Sequence, residues 1–386
     1  MVERKTEQAF LCLCLRGFWH PPSVDEALAL AARESFDWAA VLRAAHMEKL
    51  SPLLYCLLRD RQNLPPAVGE ALGESYYPWA RSISLIMHEL ERTLSALAER
   101  SVPVLLLKGA ALVDTVYRNV GPRPMGDVDL LVPREQARAA EGILTSLGYG
   151  MVTADPWPGF SWRYRNSVSY GRRTDEDAPF YVGLHTQLFD VPFYQRIPVG
   201  DWFGRAWAVE GAVHGARMPA PEDHLVYLCG HLTLHHGRER GLLRTLDIAL
   251  LIRWAGESLD WDQVVKRAVD WRLVIPLQRA VADLQDMWPD VVPPGAAAEV
   301  AGLRAQSSER RVCDWVAKRR TPASDTLLAL ATLPGITRRV RFLLEMAIPS
   351  PAYMRQRYCP ERPALWPLTY VSRVVWAFRH LLRRSR

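Results

Sequence analysis

Two short apolar runs within residues 102–132 place the strongest constraint on what this chain can fold into. Residues 102–107 read VPVLLL and lead into a lysine–glycine pair, and residues 127–132 read DVDLLV and are followed by a proline. Apolar runs of this length, bounded by glycine and proline, are typical of buried strands. The residues between them predict a helix over Ala110–Tyr117 and a turn over Asn119–Gly126. The segment therefore predicts a strand, a glycine turn, a helix, a second turn and a second strand.

Helical patterns flank this segment on both sides. Residues 38–45 carry apolar side chains at positions i, i+3, i+4 and i+7, which is the spacing of one buried helix face, and residues 77–100 predict one long helix. The chain is again mostly helical from about Pro221, and residues 366–386 predict an aromatic and basic helix at the C-terminus.

Residues 134–190 complete the predicted core. Arg134–Leu147 predicts a helix, and residues 148–190 predict two or three strands with a hairpin turn at 174–179. The chain is therefore predicted to be an α+β protein, in which a small mixed β-sheet core is flanked by helical regions. The expected units are an N-terminal helical region at 1–100, an α/β core at 101–200 and a C-terminal helical region at 201–386.

Composition argues against several broad classes of protein. Hydrophobic residues make up 49% of the 386 residues and charged residues 23%, which is ordinary for a globular protein and argues against disordered and fibrous classes. The net charge of +6 is compatible with a nucleotide or phosphorylated partner, and nucleic acid stays a disfavoured but open partner. The six cysteines are scattered, which predicts reduced thiols and a cytoplasmic location. No apolar stretch approaches the roughly 18–20 residues of a membrane span.

The clearest chemical signal is the pair Asp127 and Asp129 on the second predicted strand. Alternate residues of a strand point to one face, so the two carboxylates are expected to lie side by side, with Cβ atoms roughly 6–7 Å apart. Two such carboxylates repel each other unless a cation lies between them, and Mg²⁺ prefers carboxylate and phosphate oxygens. The pair therefore predicts a clamp for Mg²⁺ (or Mn²⁺) and a nucleoside triphosphate. The same pattern also fits a strand end with two solvated acids.

Neighbouring residues favour the metal-binding interpretation. Lys108 and Gly109 join the first predicted strand to a helix, where glycine permits close backbone approach and the helix N-terminus offers free N–H groups to a phosphate. Lys108 adds a mobile positive charge, and Arg123 in the following turn is able to reach a phosphate or to pair with an acid. Together with the two aspartates, these residues predict a nucleotide-binding site.

These residues resemble the signature of the uncharacterised nucleotidyltransferase family, which is part of the DNA polymerase β-like nucleotidyltransferase superfamily. The matching stretches read LKGAAL at residues 107–112 and RPMGDVDLLV at residues 123–132, with Tyr117 between them. Less specific similarity extends upstream through residues 37–38 and downstream to residues 246–248. The similarity thus spans most of the chain.

The resemblance implies a metal-dependent enzyme that uses a nucleoside triphosphate as its donor. It implies metal ligation by Asp127 and Asp129, and it places the phosphates on the turn that holds Lys108, Gly109, Ala110 and Arg123. Family members often occur beside genes for natural-product peptide synthesis, which implies a peptide or small-molecule acceptor.

Two positions depart from the superfamily pattern. Ala110 stands where a serine is usual, so the backbone N–H is kept but a hydroxyl contact to phosphate is lost. Gly183 stands where relatives carry a third carboxylate, on the strand predicted at residues 181–186. Because alternate strand residues share a face, His185 is expected to point into the site. Histidine side chains exchange protons near neutral pH, so His185 is a candidate general base, although a structural histidine bonded to a backbone carbonyl is equally compatible.

His231, His235 and His236 form a second cluster on one predicted helix. His231 and His235 are four residues apart, as in a zinc pair, but Leu232 follows His231 where a metalloprotease motif needs glutamate. Structural packing is the favoured interpretation, ahead of contacts with a nucleotide or acceptor and ahead of metal binding.

The sequence therefore predicts an enzyme that binds Mg²⁺ (or Mn²⁺) on Asp127 and Asp129, holds triphosphate near Lys108 and uses His185 in catalysis. An acceptor oxygen is expected to attack the α-phosphate and to receive a nucleoside monophosphate. Two alternatives stay open. One is group transfer from a nucleotide-sugar at the same site, which the missing third acid suggests, and the other is a module that binds a nucleotide or peptide without turnover.

Overall fold

The computed structural model describes residues 3–33, 35–117, 123–173, 179–190, 197–209, 215–236, 241–317, 322–358 and 366–370. Within these residues a five-stranded sheet is preceded and followed in the chain by helices, which confirms the predicted α+β class. Of the hairpin turn and the C-terminal helix predicted from the sequence, residues 174–178 and 371–386 lie outside the described residues.

The sheet is mixed, and its first two strands are fully buried. Its strands are β1 (Leu105–Leu107), β2 (Val128–Leu131), β3 (Gly150–Met151), β4 (Ser167–Arg173) and β5 (Pro179–His185). They lie in the order β1-β2-β5-β4-β3, and β2 pairs with β5 in parallel while the other described pairs are antiparallel. All residues of β1 and β2 are buried, because these strands are covered on both faces.

Five helices precede the sheet. They are α1 (Glu3–Arg16), α2 (Pro22–Ala31), α3 (Trp38–Met47), α4 (Ser51–Leu58) and α5 (Pro66–Glu99). Asp37 caps α3 by accepting a hydrogen bond from the Ala40 amide at 2.9 Å, and Val41 and Ala45 on the predicted apolar face are buried. Helix α5 has 34 residues and begins earlier than the helix predicted over 77–100, because Pro66 lies in its first turn, where proline is tolerated.

Four helices are interleaved with the strands or follow them, and nine more complete the described chain. The first group is α6 (Lys108–Thr115), α7 (Ala137–Ser146), α8 (Phe160–Tyr164) and α9 (Gly200–Arg205). The second group is α10 (Pro221–His236), α11 (Leu242–Ala255), α12 (Trp261–Asp270), α13 (Val274–Met287), α14 (Pro294–Gly302), α15 (Ser307–Ala317), α16 (Pro322–Thr332), α17 (Ile336–Ala347) and α18 (Pro351–Tyr358). A two-stranded antiparallel ribbon of β6 (Trp207–Ala208) and β7 (Arg217–Met218) lies in the region for which helices alone were predicted.

One continuous hydrophobic core joins the three predicted units. Phe10 of α1, Leu130 of β2 and Leu277 of α13 are fully buried members of the same cluster. The helices on both sides of the sheet therefore contribute to its support, and the division into regions 1–100, 101–200 and 201–386 stays a prediction. None of the described helices is long and apolar enough to cross a membrane.

Candidate active site

The two aspartates lie at the start of β2, which pairs with β1 on one side and β5 on the other. Asp129 is paired in register with Leu107 of β1 and with Gly183 of β5, so it lies in the interior of the sheet and is buried. Asp127 precedes β2 and is exposed, and no hydrogen bond or ion pair of its carboxylate is found among the described residues. Although the Asp127 side chain reaches solvent, desolvation by the surrounding protein and the charge of Asp129 raise the pKa of Asp127 above its ordinary value. The sheet thus holds two carboxylates whose repulsion is not fully relieved.

Lys108 stands at the junction of β1 and α6 and is paired with Asp129. Its ammonium Nζ lies 2.9 Å from Asp129 Oδ2. Burial opposes the charge of this ammonium, but Tyr227 and the two aspartates raise the pKa of Lys108 above the ordinary lysine value. Burial also opposes the charge of Asp129, yet Lys108 and His185 hold the pKa of that carboxyl far below its usual range. The two groups therefore form a charged pair at neutral pH.

The backbone of Lys108 is strained. Its φ of 49° lies in the left-handed region, which costs a non-glycine residue on the order of 1–3 kcal/mol. This bend ends β1 and begins α6 within one residue, so the free N–H groups at the α6 N-terminus lie beside the lysine. Ala110 in the first turn is buried, so this position offers a methyl group and no hydroxyl.

His185 reaches Asp129 across Gly183. The His185 Nε2 lies 2.7 Å from Asp129 Oδ1, and both side chains are buried. A Cβ atom at position 183 would lie 2.7 Å from the same carboxylate oxygen and 3.2 Å from His185 Nε2. Any side chain at this position would therefore displace one of the two partners. Gly183, interpreted from the sequence as a lost acid, is the residue that lets the histidine bond the aspartate.

Asn166 holds the other side of the histidine ring. Its Nδ2 amide lies 3.4 Å from His185 Nδ1 and donates to the Leu188 carbonyl at 3.2 Å. Because the Asn166 amide donates toward Nδ1, Nδ1 of a neutral imidazole must be the acceptor and carry the lone pair. The proton then lies on Nε2, which donates to Asp129. Neither ring nitrogen then offers a free lone pair to a substrate hydroxyl. This geometry favours His185 as a support for Asp129, and its role as a general base stays a prediction.

Arg123 is buried and bound to an acid on a distant helix. Its Nε and Nη2 donate to the two carboxylate oxygens of Asp247 on α11 at 2.8 and 2.7 Å. The Tyr117 hydroxyl donates to Asp247 Oδ1 at 2.8 Å. The guanidinium also packs against Gly109, where a Cβ would clash with Nη1 and lie 3.0 Å from Cζ. Of the two predicted uses of Arg123 the pairing with an acid is present, and a contact with phosphate stays a prediction.

Two buried residues of α10 contact Lys108, and no sequence motif predicted either contact. His224 Nε2 accepts a hydrogen bond from the Lys108 amide at 3.3 Å, and burial lowers the pKa of His224 to about 3, so the ring is neutral. Burial raises the pKa of Tyr227, whose hydroxyl lies near the Lys108 ammonium but has no well-aligned hydrogen bond among the described residues. His224 is 116 positions from Lys108, and no local pattern links residues at that separation.

The histidine cluster of α10 is packed ring against ring. The imidazoles of His231 and His235 stack with centroids 4.8 Å apart and planes at 25°, and His231 also contacts Tyr227. The side chain of His236 lies outside the described residues. Within the described part of the chain no group of three or more histidine, cysteine, aspartate or glutamate side chains is placed to hold a metal ion.

The pair Asp127 and Asp129 nevertheless fits a divalent cation that also binds substrate. Mg²⁺ is usually held by one or two carboxylates together with phosphate oxygens, rather than by a cage of protein ligands. The unpartnered carboxylate of Asp127, with its raised pKa, is the group whose repulsion a cation would relieve. Asp129 Oδ2 is bonded to Lys108, so a cation would have to compete with that ammonium.

Comparison with known proteins identifies the family of this chain. A model of an uncharacterised nucleotidyltransferase family matches residues 34–289, which is well over half of the chain and contains every residue of the candidate site. The chain belongs to this nucleotidyltransferase family. Membership confirms the resemblance seen in the sequence, and it supports nucleotidyl transfer with a nucleotide substrate as the general activity. None of the curated proteins matches the sequence.

Two solved structures show partial similarity. The antibiotic-resistance factor ANT(2'')-Ia is 19% identical, with a TM-score of 0.33, and the match covers 53% of this chain and 96% of that one. An antigenic nucleotidyltransferase-like protein from Paracoccidioides brasiliensis is 19% identical, with a TM-score of 0.36, and the match covers 59% of this chain and 98% of that one. Similarity at this level carries no inference about the chemistry of the present chain.

Proposed function

We propose that this protein is a metal-dependent nucleotidyltransferase that transfers a nucleoside monophosphate from a nucleoside triphosphate to an acceptor. The observation that supports the proposal most directly is the pair Asp127 and Asp129 beside the Lys108 ammonium, which lies 2.9 Å from Asp129, at the N-terminus of α6. A cytoplasmic location is part of the same proposal, and nucleic acid stays a disfavoured but open partner.

Asp127 and Asp129 would hold Mg²⁺ or Mn²⁺ in this proposal. When bound, the cation would neutralise charge on the triphosphate and fix its orientation. The exposed carboxylate of Asp127 is available for this role, whereas the buried carboxylate of Asp129 is held in place by Lys108 and His185.

The chain's own residues would contribute positioning and charge. Lys108 stays charged because its pKa is raised, so its ammonium can move from Asp129 to a phosphate oxygen without losing its proton. The free N–H groups at the start of α6 present the positive end of the helix to the same phosphates. His185 keeps Asp129 in one orientation through its 2.7 Å hydrogen bond. Preorganised charges of this kind commonly supply the largest share of catalysis.

The proton of the acceptor oxygen constrains the class of acceptor. In the transfer, the acceptor oxygen forms a bond to the α-phosphorus, the bond from that phosphorus to the β-phosphate oxygen breaks, and pyrophosphate leaves. A hydroxyl acceptor must lose its proton, but Gly183 replaces the third acid and the Nδ1 lone pair of His185 faces Asn166. A phosphate or carboxylate oxygen is already ionised at neutral pH and needs no base. We therefore favour an anionic acceptor group on a peptide or small molecule.

The first test is nucleotide binding measured by titration calorimetry. ATP, GTP, CTP and UTP are titrated with and without Mg²⁺ into the wild-type protein, into Asp127→Asn and into the control Asp262→Asn, which changes an exposed acid on α12 by the same chemistry. We expect Mg²⁺-dependent binding of at least one triphosphate, weakened about tenfold or more in Asp127→Asn, a loss of roughly 1.4 kcal/mol or more.

The result that would overturn the proposal is triphosphate binding that is independent of Mg²⁺ and equal in the wild type and Asp127→Asn. If binding meets the expectation, release of pyrophosphate with phosphate-bearing and carboxylate-bearing peptides tests the acceptor class. Turnover on a neutral hydroxyl alone would refute the anionic acceptor while leaving nucleotidyl transfer in place.

A second candidate function is favoured by the same arrangement of Gly183 and His185. Transfer of a sugar from a nucleotide-sugar to a phosphorylated peptide also uses an acceptor oxygen that is already ionised. Mass analysis of a phosphopeptide incubated with nucleotide-sugars separates the two functions, because a hexose and a nucleoside monophosphate add different masses.

A module that binds without turnover is the third candidate. It is favoured by the engagement of both Asp129 oxygens, one by Lys108 and the other by His185. Any product formed over several turnovers would exclude it.

A further inference from the structure

Helix α17 presents a row of large apolar side chains to solvent. Ile336, Val340, Leu343 and Leu344 follow the i, i+4, i+7 and i+8 spacing of one helix face, and Ile348 continues the four-residue spacing directly after the helix. These five side chains, called the apolar row below, are 45–73% exposed. Single exposed apolar residues are ordinary, but a contiguous row marks a surface that binds something.

The opposite face of α17 fixes this orientation. Phe342 packs against Phe160 and Tyr164 of α8, with ring centroids 5.8 and 5.0 Å apart. Glu345 is buried, and its two carboxylate oxygens accept hydrogen bonds from Arg163 Nη2 at 2.9 Å. A rotation of the helix that buried the apolar row would separate this acid from its counter-charge, which is costly for a buried group. The exposure of the row is therefore a consequence of how the helix is packed.

Arginines border the apolar row on both sides. By the 3.6-residue period, Arg339 lies beside one edge of the row and Arg341 beside the other, with Arg338 next to Arg341. Arg341 pairs with Glu345 at 2.8 Å, whereas Arg339 donates to the Leu333 carbonyl at 2.9 Å. Arg338 is exposed, and no hydrogen bond or ion pair of its guanidinium is found among the described residues. Two of the three guanidinium groups thus have no acidic partner in the described part of the chain.

The end of the chain that contains α17 also differs in charge from the rest. Residues 322–386 contain eleven arginines and three acids, a formal charge of +8, whereas residues 1–321 carry −2. The family model matches residues 34–289, so this basic end lies outside the part that the family model describes. Charge asymmetry of this kind between two parts of a chain indicates an anionic partner, either nucleic acid or a membrane surface.

Charge and shape together select the partner. A second copy of this chain would bring like charge to the apolar row, and so would residues 371–386, which hold five arginines and no acid. Nucleic acid would pair with the arginines but would leave the apolar side chains in water. A protein partner would have to supply a groove for the convex outer face of a helix. An anionic lipid surface meets both requirements, because apolar side chains enter its acyl boundary while arginines pair with its headgroups.

We propose that α17 binds the surface of an anionic lipid membrane, with the apolar row inserted at the acyl boundary and with Arg338 and Arg339 on the headgroup phosphates. The helix lies in the plane of the interface in this arrangement and does not cross the bilayer. The proposal is independent of the proposed nucleotidyl transfer, so it is tested without any nucleotide.

The binding is measured by sedimentation of the full chain with lipid vesicles. The vesicles consist of phosphatidylcholine alone or of phosphatidylcholine mixed with phosphatidylglycerol, in about 0.15 M salt, in which loose surface pairing is screened. Val340→Asp is the first test variant, and Val269→Asp is its matched control because Val269 is a similarly exposed valine on α12. Arg338→Gln is the second test variant, and Arg253→Gln is its control at an exposed arginine of α11.

We expect the wild type to bind the mixed vesicles and not phosphatidylcholine alone. Val340→Asp places a carboxylate in the apolar row and should weaken binding about tenfold or more. Arg338→Gln should weaken binding about fivefold, and both controls should bind like the wild type. Failure of the wild type to bind the mixed vesicles, or equal binding by Val340→Asp and Val269→Asp, would overturn the proposal.

Hydrogen exchange locates the contact on the chain. Mixed vesicles should slow amide exchange in residues 336–348 and leave residues 261–270 of α12 unchanged. Slowing confined to residues 371–386 would overturn the assignment of the contact to α17. Self-association without vesicle binding, seen by analytical ultracentrifugation in the wild type but not in Val340→Asp, would assign the row to a second copy of the chain and would equally overturn the proposal.

Discussion

Substitution of Gly183 by alanine is the most direct test of how the site is built. The added Cβ would lie 2.7 Å from Asp129 Oδ1 and 3.2 Å from His185 Nε2, so the carboxylate or the ring must move. Overpacking of a tight interior costs about 1–3 kcal/mol. A hydrogen bond to a charged group is worth about 1.5–3 kcal/mol. Because movement that relieves the clash also breaks the hydrogen bond, we expect Gly183→Ala to be destabilised by about 2–4 kcal/mol.

The assay is urea unfolding of Gly183→Ala beside Gly150→Ala. Gly150 is a strand residue of the same sheet, and a Cβ there would meet no atom within 4 Å. Gly150→Ala therefore measures how a glycine-to-alanine change affects the free energy of unfolding when no steric clash is involved. Nitrogen chemical shifts of the His185 ring provide a local readout. The wild type should show the proton on Nε2, where Asp129 accepts it, and the variant should lose this preference. Equal unfolding of the two variants, together with an unchanged ring signal, would refute the reasoning.

The remaining predictions concern the support of the site. Asp247→Asn leaves the buried Arg123 guanidinium without a counter-charge, so its free energy of unfolding in urea should fall by about 3–5 kcal/mol. The control Asp262→Asn changes an exposed acid and should leave that free energy nearly unchanged. Equal urea midpoints for the two variants would contradict the importance of the buried pair. The backbone of Lys108 is left-handed, a conformation that glycine adopts more easily than alanine. Lys108→Gly and Lys108→Ala both lose the ammonium, but the glycine variant should be more stable by about 1 kcal/mol. The reverse order of stability would argue against backbone strain at this position. Burial lowers the pKa of His224 to about 3, so the unfolded chain takes up the proton first as the pH falls below about 6.5. Stability should therefore fall with acidification between about pH 6 and pH 3, by up to roughly 1.4 kcal/mol per pH unit from this group, and His224→Gln should remove that part of the slope. An identical pH dependence in the wild type and His224→Gln would show that the buried histidine does not contribute.

The sequence predicted the elements of the site because they depend on neighbours along the chain. The apolar run after Asp127 and the proline behind it mark a strand, and β2 is found at Val128–Leu131. The two-residue alternation of a strand places Gly183 and His185 on one face, and the hydrogen bond from His185 to Asp129 agrees with that placement. Local periodicity is sufficient for such features.

Features that depend on distant pairing could not be predicted. Arg123 and Asp247 are 124 positions apart, and no sequence pattern around either residue predicts that the two are paired. The role of Gly183 could be recognised only from the strand register, in which it lies opposite Asp129. This register is a property of the sheet and cannot be derived from either strand alone. Asn166 likewise carries no motif, although it determines which nitrogen of His185 holds the proton.

The bond between Arg123 and Asp247 also bears on the order in which the molecule forms during synthesis. The glycine turn at 108–109 packs against a guanidinium whose counter-charge is translated 124 residues later. At elongation rates of about 5–20 residues per second, roughly 6–25 s pass between the synthesis of Arg123 and that of Asp247. During this interval the first two strands can pair, but the turn at 108–109 lacks the fixed guanidinium against which it packs. The turn at 108–109 therefore gains this backing only after α11 has been synthesised and has docked.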